Sequence, residues 1–126
     1  MSLQSPIARA RGLGSAKEGV HHWWAQRLTA VALVPLSLWF IYSLVVVTGA
    51  EYGSAISWLG NTLNAVLMLL FIFSLYYHAE LGVRVVIEDY IASEWQKIVC
   101  LLLVKFLVWI AGLSAAIAVL KIYLGL

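Results

Sequence analysis

Charge is what this chain has least of. Eight Lys and Arg and six Asp and Glu make up 11% of its 126 residues, against 63% hydrophobic residues. A typical globular domain carries about 25% charged residues, and a small domain already has difficulty hiding its apolar surface from water. An ordinary soluble domain is therefore excluded. A disordered chain is excluded too, because disorder needs low hydrophobicity and the mean hydropathy here is +0.95. Cysteine is nearly absent: Cys100 stands alone, so there is no disulfide framework, and in its apolar run it reads as a small packed hydrophobe. The sequence has no G-x-G-x-x-G, no C-x-x-C and no H-E-x-x-H, which assigns any flavin, nucleotide or iron–sulfur centre to another chain. Gly14 and Gly19 have the outer spacing of a phosphate loop. Val20 and His21 follow where Lys and Ser or Thr are needed, and no strand precedes it, so phosphate cradling is not read there. No internal repeat and no low-complexity segment is present.

What the chain does have is three apolar runs: Ala30 to Val47, about Leu63 to Ile87, and Ile98 to Leu120, the last interrupted only by Lys105. A helix crosses about 30 Å of hydrocarbon with about 20 residues at 1.5 Å each, so each run can span once. The first run is 18 residues long, beyond the usual apolar region of a signal peptide, and reads as a retained span. Each run is apolar nearly all round, so amphipathic periodicity is not expected. Hydrocarbon demands internally bonded backbone, and three segments cannot close a barrel. The expectation is an all-α membrane protein with three transmembrane helices over about 23–48, 62–87 and 97–121. Residues 1–20 read as a polar, loosely ordered tail ahead of the three-helix membrane part, 21–126. Pro35 falls inside the first span, where it removes one backbone donor and favours a packing kink. Gly112 with Ala116, and Ala111 with Ala115, are small residues one turn apart that let another helix approach closely.

Polar residues inside the spans need individual explanations, since an ionisable group there costs about 2.5–3.5 kcal/mol even on lenient scales. His78 lies mid-way along the second span, and imidazole is too short to snorkel out. Two readings are open: a hydrogen bond to a neighbouring helix, or a metal ligand through a neutral ring nitrogen, with haem iron the metal of choice. Gly82 sits one turn on and about 40° away around the helix, where a missing side chain clears space for a flat macrocycle or for a packed helix. Asp89 returns to within about 20° of the same face, with Tyr90 beside it at the end of the run. Glu80, Arg84 and Glu88 form a separate stripe at a spacing that suits mutual ion pairing and reads as structural or as a contact with another chain. Lys105 lies close enough to the edge of the third span to snorkel out. His21, His22, Trp23, Trp24 and Arg27 stand where the first span begins. They read either as an aromatic and basic belt or, for Arg27, as a guanidinium able to fork onto carboxylates such as haem propionates.

Two of these patterns resemble a known family. Gly19-Val20-His21 followed by Arg27-Leu28-Thr29-Ala30 is one, and His78-Ala79-x-x-Gly82 followed by Asp89-Tyr90 is the other. Together with three spans they are similar to the cytochrome-b-type hydrophobic membrane anchors of succinate dehydrogenase, over nearly the whole chain from about Gly12 onward. The resemblance implies that His78 is an axial ligand of haem b, with the second histidine supplied by a partner, the second cytochrome-b-type anchor of the complex. It implies that the Tyr90 hydroxyl hydrogen-bonds a quinone carbonyl, ubiquinone or another quinone, with Asp89 orienting the site. It places Arg27 near the haem propionates and His21 at the same membrane edge. A flavoprotein subunit that oxidises succinate and an iron–sulfur subunit that delivers electrons are the other implied partners, in the bacterial inner membrane or the mitochondrial inner membrane, within the tricarboxylic acid cycle and respiratory chain. The rival readings are a quinol:fumarate reductase anchor, a haem-free anchor, a structural membrane subunit of another respiratory complex, and a small transporter. Transport usually brings an inverted repeat, and none is found.

The charge distribution gives an orientation. Arg9, Arg11, Lys17 and Arg27 crowd the first 27 residues, and no Lys or Arg follows until Arg84. The linker from Thr48 to about Asn61 has no basic residue, whereas the one from about Glu88 to Lys97 does. Lys121 is a single opposing residue. The positive-inside rule therefore puts the N-terminus and the second linker on the cytoplasmic or matrix side and the C-terminus across the membrane. A reporter fused after Leu126 is expected to label from the periplasmic or intermembrane side; reporter activity on the cytoplasmic side would refute this orientation.

Overall fold

The computed structural model describes residues 5–10 and 17–126. Within them the chain is helical almost throughout: α1 (Pro6–Ala10), α2 (Lys17–Thr48), α3 (Tyr52–Gly60), α4 (Thr62–Tyr90) and α5 (Glu94–Tyr123). No strand is present among the described residues. The three long helices are each apolar and long enough to cross a membrane. At 1.5 Å per residue, the 29 to 32 residues of α4, α5 and α2 reach roughly 44–48 Å. That exceeds the hydrocarbon core and covers the headgroup layers as well. α2 runs through Pro35 without a break.

The helices are longer than the apolar runs, because hydropathy marks where lipid contact ends while backbone bonding continues into the interface. Residues 17–20, which composition places with the polar tail, form the first turn of α2, and Pro6–Ala10 is a short helix of its own. Gly12, Gly14 and Ser15 of that tail, and the first half of the Gly14-to-Gly19 spacing, lie outside the described residues. The first linker is also folded: α3 occupies most of it. Ala55, Trp58 and Leu59 are its half-buried residues, at the spacing of one helix face, and the Trp58 ring stacks on Trp39 of α2 with centroids 5.6 Å apart. Asn61 closes α3 and opens α4. Its side-chain oxygen accepts from the backbone N–H of Leu63 at 2.9 Å, an N-cap that answers one of the first-turn donors. The second linker is only Ile91, Ala92 and Ser93, which leaves Tyr90 directly before a tight turn.

α4 is the centre of the assembly. It packs against both α2 and α5, whereas α2 and α5 do not come into contact with each other. Little of the chain is buried, and the buried residues mix apolar ones, among them Phe71, Leu81, Ile87 and Val119, with small and weakly polar ones. Thr29, Ser43, Ala65 and Ser74 are buried, while large residues such as Leu28, Val31, Tyr42, Phe106 and Ile110 are exposed. The accessible surface, 9602 Å², compares with roughly 6,700 Å² for a soluble monomer of this mass. Small and weakly polar residues at helix contacts, with bulky apolar ones outside, are what association in lipid favours. The α2–α4 seam is antiparallel: Phe40 stacks on Phe71 at 4.8 Å, and Thr29 meets His78. At the opposite edge of α4, Thr62 Oγ1 and the Tyr123 hydroxyl are 3.2 Å apart, tying its start to the end of α5.

Gly112 shows why small residues recur on α5. A Cβ built there would lie 3.5 Å from Cγ of the Tyr76 ring, in ordinary contact, and anything longer would meet the ring itself. Gly112→Ala is therefore expected to unfold at the wild-type temperature. Gly112→Leu must displace Tyr76 and lose about 1–3 kcal/mol to overpacking, read as an earlier thermal loss of helical circular dichroism. Equal stability for Gly112→Leu would show that α4 and α5 do not pack at this point.

Candidate functional site

On α2, His22, Gln26 and Thr29 are spaced four and three apart, which places them on one helix face. That face meets the side of α4 carrying His78 and Gly82. Thr29 is 6% exposed, and its hydroxyl oxygen is held by three contacts: Ala25 O at 2.7 Å, Gln26 O at 3.1 Å and His78 Nδ1 at 3.0 Å. His78 is half-buried. The structure gives Nε2 no hydrogen-bond partner among the described residues. One turn further, a Cβ on Gly82 would meet only Gln26 Nε2, at 3.9 Å. Packing within this chain therefore does not require glycine there.

Two polar atoms on the same α2 face are buried without a hydrogen-bond partner among the described residues, His22 Nε2 and Gln26 Oε1. An unanswered buried polar atom costs about 1–3 kcal/mol, so these two atoms mark the seam as a place where a further polar partner would be stabilising. A cavity of about 630 Å³ opens beside it, between the start of α2 and the end of α4, lined by His21, His22, Tyr77, Leu81, Arg84 and Glu88 among others. Arg84 donates from Nε to Glu88 Oε1 at 2.9 Å. Glu80, expected to share that stripe, instead lines a separate 220 Å³ groove between α4 and α5 with Tyr76, Trp109 and Gly112. Each i+4 step rotates about 40° around the helix, enough to carry Glu80 to the α5 side.

The other expected site residues are placed but not joined. His21 is exposed at the rim of the larger cavity. Arg27 is exposed, about 160° around α2 from Thr29, with its guanidinium carbon 5.6 Å from the centre of the Trp23 ring. Trp23 in turn meets Trp24 edge-on at 5.0 Å, as an aromatic belt would. Asp89 is exposed, and Tyr90, the last residue of α4, is 84% exposed. Tyr90 lies roughly 18 Å along the axis from His78. The spacing of His22, Gln26 and Thr29 was readable in the sequence as a polar stripe. Its partner helix was not readable.

A haem iron requires from this chain one neutral imidazole, and His78, whose Nδ1 faces Thr29, fits that requirement through Nε2; beside it, Gly82 meets only the end of the flexible Gln26 side chain. Among the described residues no three His, Cys, Asp or Glu converge into a metal cluster, so a multi-ligand metal centre is not formed there.

Comparison with known proteins bears on this arrangement. A sequence model described as succinate dehydrogenase/fumarate reductase transmembrane subunit matches residues 1–112. A succinate dehydrogenase hydrophobic membrane anchor subunit of Rickettsia bellii is 37% identical over 103 residues, 82% of each chain. One of Paracoccus denitrificans is 31% identical over 125 residues, 99% of this chain and 96% of the relative. A succinate dehydrogenase membrane anchor subunit of Reclinomonas americana is 28% identical over 92 residues, 71% and 77% of the two. With three membrane-length helices, a polar seam left open and a family match across most of its length, the chain belongs to the succinate dehydrogenase/fumarate reductase transmembrane subunit family, as an anchor subunit of the succinate dehydrogenase type.

Proposed function

We propose that this chain anchors succinate:quinone oxidoreductase in the inner membrane, supplies His78 as one of the residues that would hold a haem b shared with a second anchor subunit, and helps form the quinone-reduction site with Tyr90 and Asp89. The observation that carries the reading is His78 itself. It is a half-buried imidazole in mid-span, with Nε2 unpartnered and a glycine one turn on that the chain's own packing does not need. Haem b, when bound, supplies a one-electron carrier within the membrane. His78 would hold its iron, and Gly82 would leave room beside the imidazole. Arg27 stands near that level but on the opposite face of α2, over Trp23, so a propionate carboxylate that it would hold would lie on that face and not within the α2–α4 seam. His21 stands nearer the membrane rim.

The flavoprotein and iron–sulfur subunits dock, in this reading, on the side of the basic N-terminus and the Ile91–Ser93 turn. Tyr90 and Asp89 lie there, exposed and with no hydrogen-bond partner among the described residues, as residues completed by another chain would be. The Tyr90 hydroxyl donates to a quinone carbonyl oxygen and strengthens that bond as negative charge builds there. Asp89, on the neighbouring position, orients the site through the partner. The chain positions and tunes, and is not catalytic alone.

Two substitutions test the reading. His78→Ala is expected to abolish or loosen the low-spin haem spectrum of the purified complex; an unchanged spectrum at full occupancy would remove His78 as ligand. Tyr90→Phe keeps the ring and removes one oxygen. Losing a hydrogen bond to a developing anion costs about 1.5–3 kcal/mol, about ten- to a hundredfold in quinone turnover. Succinate oxidation by a dye that takes electrons from the soluble subunits should be untouched. Wild-type quinone reduction in this variant would make Tyr90 an interfacial belt residue.

A further inference from the structure

A threonine hydroxyl has one proton to give and lone pairs to receive, and the contacts around Thr29 determine where that proton goes. Oγ1 lies 2.7 Å from Ala25 O, the usual length of an O–H···O bond. A carbonyl cannot donate, so the proton between these two oxygens must be the hydroxyl's own. If it pointed to His78 instead, two lone-pair oxygens would face each other at that distance. Gln26 O, at 3.1 Å, is likewise only an acceptor and shares the same proton. The third contact, 3.0 Å to His78 Nδ1, can then exist only if Nδ1 carries a hydrogen and Oγ1 accepts it.

We infer that Thr29 is a positioning residue for His78: its hydroxyl, spent on the carbonyls of its own helix, holds the imidazole as the Nδ1–H tautomer and leaves Nε2 as the nitrogen with a free lone pair. Thr29 suits this task for a physical reason. Bonding back to the preceding turn fixes its χ1, so the acceptor atom is held before the ring arrives. In a membrane the arrangement is consequential, because the imidazole has no water to choose between its tautomers. Hydrogen-bond accounting places the proton on Nδ1, and the cost of a charged ring in mid-span keeps Nε2 without one. The consequence for a metal rests on the proposed role of His78 as haem ligand. A hydrogen bond from the distal N–H of a ligating histidine to an oxygen orients the ring and raises the basicity of the ligating nitrogen, which favours the ferric state.

The test compares Thr29→Val, which keeps the shape and removes the hydroxyl, with Thr29→Ser, which keeps the hydroxyl. In the full-length chain, ¹⁵N-histidine labelled and reconstituted in lipid without haem, the His78 signals are assigned by their loss in His78→Ala. Nδ1 is expected to be protonated and Nε2 unprotonated in wild type and Thr29→Ser, and that preference is expected to be lost in Thr29→Val. In the haem-loaded complex, Thr29→Val is expected to weaken haem retention about 10–100-fold, as losing a hydrogen-bond partner of a metal ligand does. It is also expected to raise the haem midpoint potential, by up to a tenfold change in ferric preference, about 59 mV for one electron. Thr29→Ser should restore both. A wild-type His78 protonated on Nε2, or a Thr29→Val chain with unchanged nitrogen signals, overturns the inference even if haem is bound through His78. If His78→Ala retains its haem spectrum, the haem role fails, and the nitrogen signals still decide the tautomer separately.

Discussion

Every backbone N–H and C=O that lies in hydrocarbon must find its partner within the protein, and the rest of this structure follows from that demand. It turns each apolar run into a helix and carries the helices past the apolar runs into the headgroup layers. Once the backbone is satisfied inside each helix, burying large side chains adds little, because lipid tails are as apolar as leucine. What remains to hold helices together is close approach and a few polar contacts. Gly112 against Tyr76 supplies the first, and Thr29 against His78 supplies the second.

The two sides of α4 thereby acquire different characters. Toward α5 the contact rests on aromatic rings, small residues and Glu80 in an otherwise apolar groove. Toward α2 it carries hydroxyls, an imidazole and two polar atoms with no partner among the described residues. A monomeric protein does not ordinarily retain such atoms, since each is costly in a low-dielectric setting. Their presence, together with exposed Arg27, Asp89 and Tyr90, leaves polar groups on this chain open to neighbouring chains of a complex. That agrees with membership of an anchor-subunit family, in which function belongs to the complex.

The distribution of charge fits the same picture. The basic residues gather at the start of α2 and around the short turn after α4, and the aromatic pair Trp23–Trp24 with Arg27 over it marks the interface at that end. The Arg84–Glu88 pair lies at the same end of α4 and is itself about half exposed, where another chain of the assembly can cover it.

Much of this was legible in the sequence because the governing quantities are local. Hydropathy over about 20 residues determines a span, and helical spacing determines that His78 and Gly82 share a face with Asp89 at its end. The helix within the first linker was less legible: its apolar face is only Ala55, Trp58 and Leu59, and it is held by Trp39 of another helix. The division of the acidic and basic stripe, with Glu80 turned to α5 and Arg84 paired with Glu88, also needed neighbours. Composition by itself determined a three-span helical membrane protein with an imidazole stranded in mid-membrane. Tertiary structure alone decided what that imidazole touches, because Thr29 and His78 are 49 residues apart and only the antiparallel register of α2 against α4 brings them together.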